Sequence, residues 1–186
     1  FASCSLLAYV PVYDYSQTTN TAAMFVSCGR LVSVGAFNTS AALTDISVMF
    51  NACGSLRSVG AFTNTASVTT TVSMYGNCFS LVDAPDLNLP MVTTVVTMYS
   101  GCQSLINAPA MTFGSVLLNM TSCFFDCVSI RTLPVYNTSS VVNFTSTLAN
   151  CRSLVTAPAW DLSAATVISS MFAQCASLVT IPAYDF

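Results

Sequence analysis

The chain contains no histidine, no lysine and no glutamate among its 186 residues. Its charge rests on Arg30, Arg57, Arg131 and Arg152 against seven aspartates, a net charge of −3. Each absence excludes something. Without His and Lys, a Ser, Thr or Cys nucleophile lacks the usual side-chain base beside it. Four arginines make no basic face for nucleic acid, and scattered aspartates make no acidic tail. Charged residues are 6% of the chain, against about 25% in ordinary domains. Although 54% of residues are hydrophobic, long apolar runs are missing. Ser, Thr, Asn, Gly or Pro interrupts each run well before the roughly 20 residues of a membrane span. The apolar share excludes disorder. No signal peptide is visible and Phe1 is not an initiator methionine, so the chain reads as processed or excised from something longer.

What is present is a repeat. Cys4, Cys28, Cys53, Cys78, Cys102, Cys127, Cys151 and Cys175 follow one another at intervals of 24 or 25 residues, with only Cys123 outside the series. Three positions after each marker lies Leu7, Leu31, Leu56, Leu81, Leu105, Ile130, Leu154 or Leu178. Seven after it lies Pro or Gly, as at Pro11, Gly35, Gly60 and Pro85; nine after it lies a large apolar residue, from Tyr13 and Phe37 to Trp160 and Tyr184. Three before it lies Phe1, Phe25, Phe50, Tyr75, Tyr99, Phe124, Leu148 or Phe172, usually with methionine preceding. Chance does not hold such columns in register through eight copies.

Inside a unit the apolar period changes. Leu43, Ile46, Met49, Phe50, Cys53 and Leu56 are spaced by threes and fours, which predicts a short or partly 3₁₀ helix. The Ser and Thr between them are poor helix formers. A stretch such as 105–111 predicts a brief extended segment, limited by its proline. A turn rich in Ser, Thr and Asn follows, as at 137–140. The expectation is an α/β solenoid of about eight 24–25-residue coils, with a continuous parallel sheet on one side and short helices on the other. It covers residues 1–186 as a single repeat domain.

The string Met49-Phe50-Asn51-Ala52-Cys53-Gly54-Ser55-Leu56 resembles the MF-x-x-C-x-S-L core of the BspA-like leucine-rich repeats. Met171 to Leu178 repeats it, and Met74 to Leu81 is close, so the resemblance runs the length of the chain. It implies a right-handed leucine-rich-repeat solenoid and, more loosely, cell-surface adhesion or scaffolding. The missing lysine and glutamate depart from that family's exposed positions.

The eight marker cysteines admit two readings: disulfides between adjacent coils, or a structural ladder of buried thiols. Equivalent side chains in neighbouring coils lie roughly 5 Å apart, within reach of a bridge. The thiol ladder is favoured, because a marker repeated once per coil is a packing position. Zinc is not expected, with neither a CxxC pair nor histidine. Cys123 falls in the column of Met24, Met49, Met74, Met98 and Met171 and reads as core; nothing basic beside it in sequence supports a redox role with Cys127.

Four Asn-x-Ser/Thr sequons mark candidate N-glycosylation sites at Asn38, Asn119, Asn137 and Asn143. About a quarter of the chain is Ser or Thr, so eleven asparagines give nearly three such matches by accident. Nine before the marker, Thr19, Thr44, Thr69, Thr93 and Thr166 form an outward row suited to O-glycans, to a regular lattice, or by default to a ladder between coils. Asp14, Asp161 and Asp185 share a column with Asn38, Asn88 and Asn137, where capping a turn is the simple role and calcium the sharper one. Asp83 and Asp86 are the leading carboxylate pair, read as a solvated turn.

No residue set amounts to an active site, so the chain is expected not to be an enzyme and to need no cofactor or metal. A surface with so little charge suits a glycan coat or packing against copies of itself. Both ends read as uncapped by sequence, which predicts head-to-tail homopolymers. The expected role is thus a structural repeat protein of an extracellular fibre or surface layer. Its rival is a surface adhesion module that binds a host protein or glycan through the sheet face. Neither reading involves nucleic acid or a membrane span.

Overall fold

A computed structural model describes residues 1–185; Phe186 lies outside the described residues. Among them there is no helix. The regular structure consists of seven short strands: β1 (Tyr9–Val10), β2 (Tyr13–Tyr15), β3 (Ser33–Val34), β4 (Phe37–Thr39), β5 (Ser58–Val59), β6 (Leu87–Leu89) and β7 (Met111–Phe113). They pair in three small parallel sheets, β1-β3-β5, β2-β4 and β6-β7. Every pairing joins a residue to its equivalent one repeat later: Tyr9 to Ser33, Tyr13 to Phe37, Leu87 to Met111. A third column of single parallel bridges runs Asn20–Asp45–Thr70 and Thr94–Asn119–Asn143–Val167.

The expected helices are absent, and the backbone hydrogen bonds show why. A helix keeps each N–H within its own segment. Here alternate N–H groups leave it: Thr21, Ala23, Phe25 and Ser27 donate to Asp45, Ser47, Met49 and Asn51 of the next repeat at 2.8–3.0 Å. The N–H groups between them close four-residue β-turns, Met24 to Thr21 O, Val26 to Ala23 O and Cys28 to Phe25 O. Turns closed across three positions bring inward side chains three and four apart together as a helix does, so the apolar period does not separate the two. Bonds between repeats do, and Ser, Thr and Val accept the extended alternative more readily than good helix formers would.

This turn arm uses left-handed backbone at two fixed columns, five before and one before each cysteine. Ala23 (φ 56°) and Ser27 (φ 59°), Val48 (50°) and Ala52 (61°), Thr97 (53°) and Gly101 (78°) occupy successive copies. Positive φ at the third residue is the type II turn requirement, normally met by glycine, yet only Gly101 supplies one here. For Val48 and Thr97 the conformation costs about 1–3 kcal/mol each. The recurring bonds to the adjacent repeat hold it in place.

The expected continuous sheet is also broken, by proline. Gly35 N–H donates to Val10 O at 2.8 Å and Gly60 N–H to Val34 O at 2.9 Å. The equivalent residue of the fourth repeat is Pro85, which has no N–H, and the β1-β3-β5 sheet ends there. Only single bridges continue, at Ser58–Asp83, Asn107–Thr132 and Thr156–Thr180. Where the repeats do pair at this corner they touch: a Cβ on Gly60 would lie 2.4 Å from Ala36 N.

Inside, the columns three before each cysteine stack. Phe1, Phe25, Phe50, Tyr75, Tyr99 and Phe124 form a continuous pile with centroids 5.1–5.5 Å apart and planes within 14°. The aliphatic column Leu31, Leu56, Leu81, Leu105, Ile130 and Leu154 is fully buried beside it.

Candidate functional site

The marker cysteines sit against this aromatic pile. All nine cysteines are free, Cys4 exposed, Cys175 half-buried and the rest buried. From the second repeat onward each marker thiol donates to a carbonyl of the repeat before. Cys53 Sγ reaches Phe25 O at 3.0 Å, Cys78 Sγ reaches Phe50 O at 3.1 Å, Cys102 Sγ reaches Tyr75 O at 3.2 Å, and Cys127 Sγ reaches Tyr99 O at 3.1 Å. Each of these carbonyls also accepts the N–H of its own repeat's cysteine, as Phe25 O does from Cys28 at 3.1 Å. Both lone pairs are thereby used. A thiol is small enough for the slot and carries the donor that an aliphatic residue would lack.

Burial pushes the Cys53 and Cys151 thiols up to about 12 and raises Cys78, Cys102, Cys123 and Cys127 as well. A thiol held protonated is neither nucleophile nor metal ligand. Cys123 lies buried in the methionine column, and no cation offsets its burial or that of Cys127. Among the described residues no three His, Cys, Asp or Glu side chains group to hold a metal ion.

The four sequons divide by exposure. Asn38 and Asn137 are exposed, whereas Asn119 and Asn143 are half-buried. Asn119 Oδ1 accepts Thr121 N–H at 2.9 Å and its hydroxyl at 2.7 Å; Asn143 Oδ1 accepts Thr145 N–H at 2.9 Å. Asn38 donates to Asp14 Oδ1 at 3.0 Å, and Asn137 Oδ1 accepts the Ser139 hydroxyl at 2.9 Å. The threonine row Thr19, Thr44, Thr69, Thr93 and Thr166 is exposed. Its hydroxyls turn back onto main chain rather than onto each other: Thr44 Oγ1 donates to Thr19 O and Thr69 Oγ1 to Thr44 O, both at 3.2 Å, and Thr166 Oγ1 to Val142 O.

Asp14 and Asp161 cap turns. Hydrogen bonds from Ser16, main chain first, lower Asp14, and bonds from Ser163, hydroxyl first, lower Asp161. Asp83 and Asp86 are both exposed. Asp86 Oδ1 accepts Ala110 N–H at 2.7 Å, tying the fourth repeat to the fifth. Asp86, unlike Asp83, lines a lateral cavity.

That cavity, of about 460 Å³, runs across the third, fourth and fifth repeats, with Phe62, Asn64, Asp86, Asn88, Ala110 and Thr112 among its walls. It opens where repeats with glycine at the seventh position give way to repeats with proline, between Gly60 and Pro85. The ladder β2-β4 ends with a bridge to Phe62, and β6-β7 begins afresh at Leu87. Phe37 N–H and Leu87 N–H donate to Ala61 O and Ala110 O at 2.8 and 3.0 Å. The equivalent N–H of Phe62 has no hydrogen-bond partner among the described residues. Sequence reasoning missed this groove; the Gly-to-Pro switch was its signal.

A second unexpected feature is buried. The hydroxyls of Tyr75 and Tyr99, in the middle of the aromatic pile, have no hydrogen-bond partner. Burial raises both phenols well above their ordinary pKa.

The class defined by these features is a repeat protein of short parallel ladders, joined by turn arms around a buried pile of rings and thiols. The chain belongs to the family described as Mycoplasma protein of unknown function, DUF285, which matches residues 1–113 and again 113–184. The double match fits the internal repeat. No curated protein and no solved structure matches the chain.

Proposed function

We propose that this chain is a non-enzymatic structural protein, a right-handed leucine-rich-repeat solenoid of the BspA-like kind. In this reading it works outside the cell or on its surface and stacks head to tail with copies of itself. The observation that carries the proposal is that equivalent contacts join each repeat to its neighbour along the chain: main-chain bonds, stacked rings and thiol donors all run from one repeat to the next. The same contacts can be continued from one copy to another. Such contacts are heterologous and do not close, so they propagate into a filament.

A role without chemistry fits the burial that keeps the interior thiols protonated and the dispersal of the turn-capping carboxylates over the surface. Exposed Asn38 and Asn137 are the sequons best placed for glycans in a secreted form. Sugar-mass increments on native peptides that contain Asn38 or Asn137 support that coat.

Cross-linking tests the stacking. Head-to-tail contact brings Cys4 of one copy beside Cys175 of the copy before it, at a separation of roughly 5 Å. A short thiol cross-linker is expected to yield a ladder of covalent oligomers that Cys4→Ala abolishes. A chain that stays monomeric at high concentration and gives no ladder refutes head-to-tail assembly.

A further inference from the structure

We propose that the lateral groove across the third, fourth and fifth repeats is a binding site for a neutral oligosaccharide. The column ten positions after each cysteine provides an internal control. Its members from Asp14 to Asp161 are Asp14, Asn38, Thr63, Asn88, Thr112, Asn137 and Asp161. Five have their side chains engaged: Asp14 with Ser16 and Asn38, Thr63 with Thr39, Asn137 with Ser139, and Asp161 with Ser163. The side chains of Asn88 and Thr112 make no hydrogen bond among the described residues, and these two line the groove. Beside them are the unpaired N–H of Phe62 and the Oδ2 of Asp86, whose other oxygen is held by Ala110 N–H. The side chains of this column without partners thus meet at one site, whereas the other five are engaged.

The ligand class follows from what these groups are. They include donors (Phe62 N–H, the Asn88 amide) and acceptors (Asp86 Oδ2, the Asn88 carbonyl), with a hydroxyl able to do both. Sugar hydroxyls likewise donate and accept. The apolar remainder of the wall, Phe62, Leu87 and Ala110, suits the C–H faces of a pyranose ring. No cationic side chain lines the groove and Asp86 does, so phosphate, sulfate and carboxylate ligands are disfavoured. The volume of about 460 Å³ falls within the roughly 300–1,000 Å³ of small-molecule sites. An added peptide strand is less suited, because it needs a row of open backbone groups. The neighbouring rungs are already taken, Thr63 N–H by Phe37 O and Leu87 N–H by Ala110 O.

The test uses the full chain in its monomeric fraction, so its outcome does not depend on end-to-end assembly. Linear hexasaccharides of glucose, mannose and N-acetylglucosamine, a sulfated oligosaccharide and an extended Val/Thr peptide are titrated by calorimetry and ligand-observed NMR. At least one neutral probe is expected to bind at a single site, and the sulfated probe is not. Asn88→Ala and Thr112→Val are each expected to weaken binding about tenfold, the loss of one good hydrogen bond. Asn137→Ala, in the same column but outside the groove, is expected to leave it unchanged. Thermal melts of the variants matching the parent separate lost contacts from lost folding. The proposal is overturned if no neutral probe binds at millimolar concentration. It is equally overturned if binding survives both substitutions, or if the peptide takes the site in place of the sugars.

Discussion

Replacing Tyr75 by phenylalanine should make the protein more stable. The hydroxyl of Tyr75 is fully buried and without a hydrogen-bond partner, while its ring stacks between Phe50 at 5.4 Å and Tyr99 at 5.1 Å. Phenylalanine already fills the same column at Phe25, Phe50 and Phe124, so Tyr75→Phe keeps the pile intact. Leaving a buried hydroxyl unpaired costs about 1–3 kcal/mol. Its removal leaves a void on the order of 10 Å³, which at about 24 cal/mol per Å³ returns roughly 0.2 kcal/mol of that gain. The net expectation is stabilisation of about 1–3 kcal/mol, or roughly 2–12 °C in Tm for a domain of this size. Tyr99→Phe should act alike, and the double variant should fall short of the sum because the two rings touch. Urea unfolding followed by circular dichroism measures this, with the m-value checked because repeat arrays can lose cooperativity. Loss of 1 kcal/mol or more with an unchanged m-value would refute the reasoning, since it would mean that the hydroxyl is bonded in the folded protein, for instance to an internal water.

Two further predictions follow from the same interior. Burial holds Cys53 and Cys151 near 12, so these thiols stay protonated through neutral and moderately alkaline pH. A thiol reagent at pH 8 should label Cys4 quickly and the buried cysteines only after unfolding; rapid native labelling of several thiols, counted by mass, would contradict the ladder. Gly60→Ala places its Cβ 2.4 Å from backbone nitrogen, where no flexible side chain can give way, and should cost about 1–3 kcal/mol. Gly29→Ala, with nothing within 4 Å, provides the control in the same unfolding assay.

The sequence alone was enough for the repeat and for its inward columns. Spacing of 24 or 25 residues and recurrent Leu, Phe and Cys are properties of the one-dimensional string, and burial of those types follows from elementary hydrophobicity. Sequence also reads all four sequons as outward, because their columns flank buried positions; Asn38 and Asn137 are exposed, but Asn119 and Asn143 are half-buried, their carbonyls turned onto the Thr121 and Thr145 main chain. What it could not decide was where the backbone N–H groups go. Leu43, Ile46 and Met49 present one face whether the segment closes helical turns or β-turns. The choice depends on carbonyls of the next repeat, which a local pattern does not contain. The Pro85 break in the ladder, the carbonyl that each thiol finds, and the groove beside Asn88 all belong to that second category. Each depends on how one repeat lies against another, a long-range geometry that only the tertiary structure supplies.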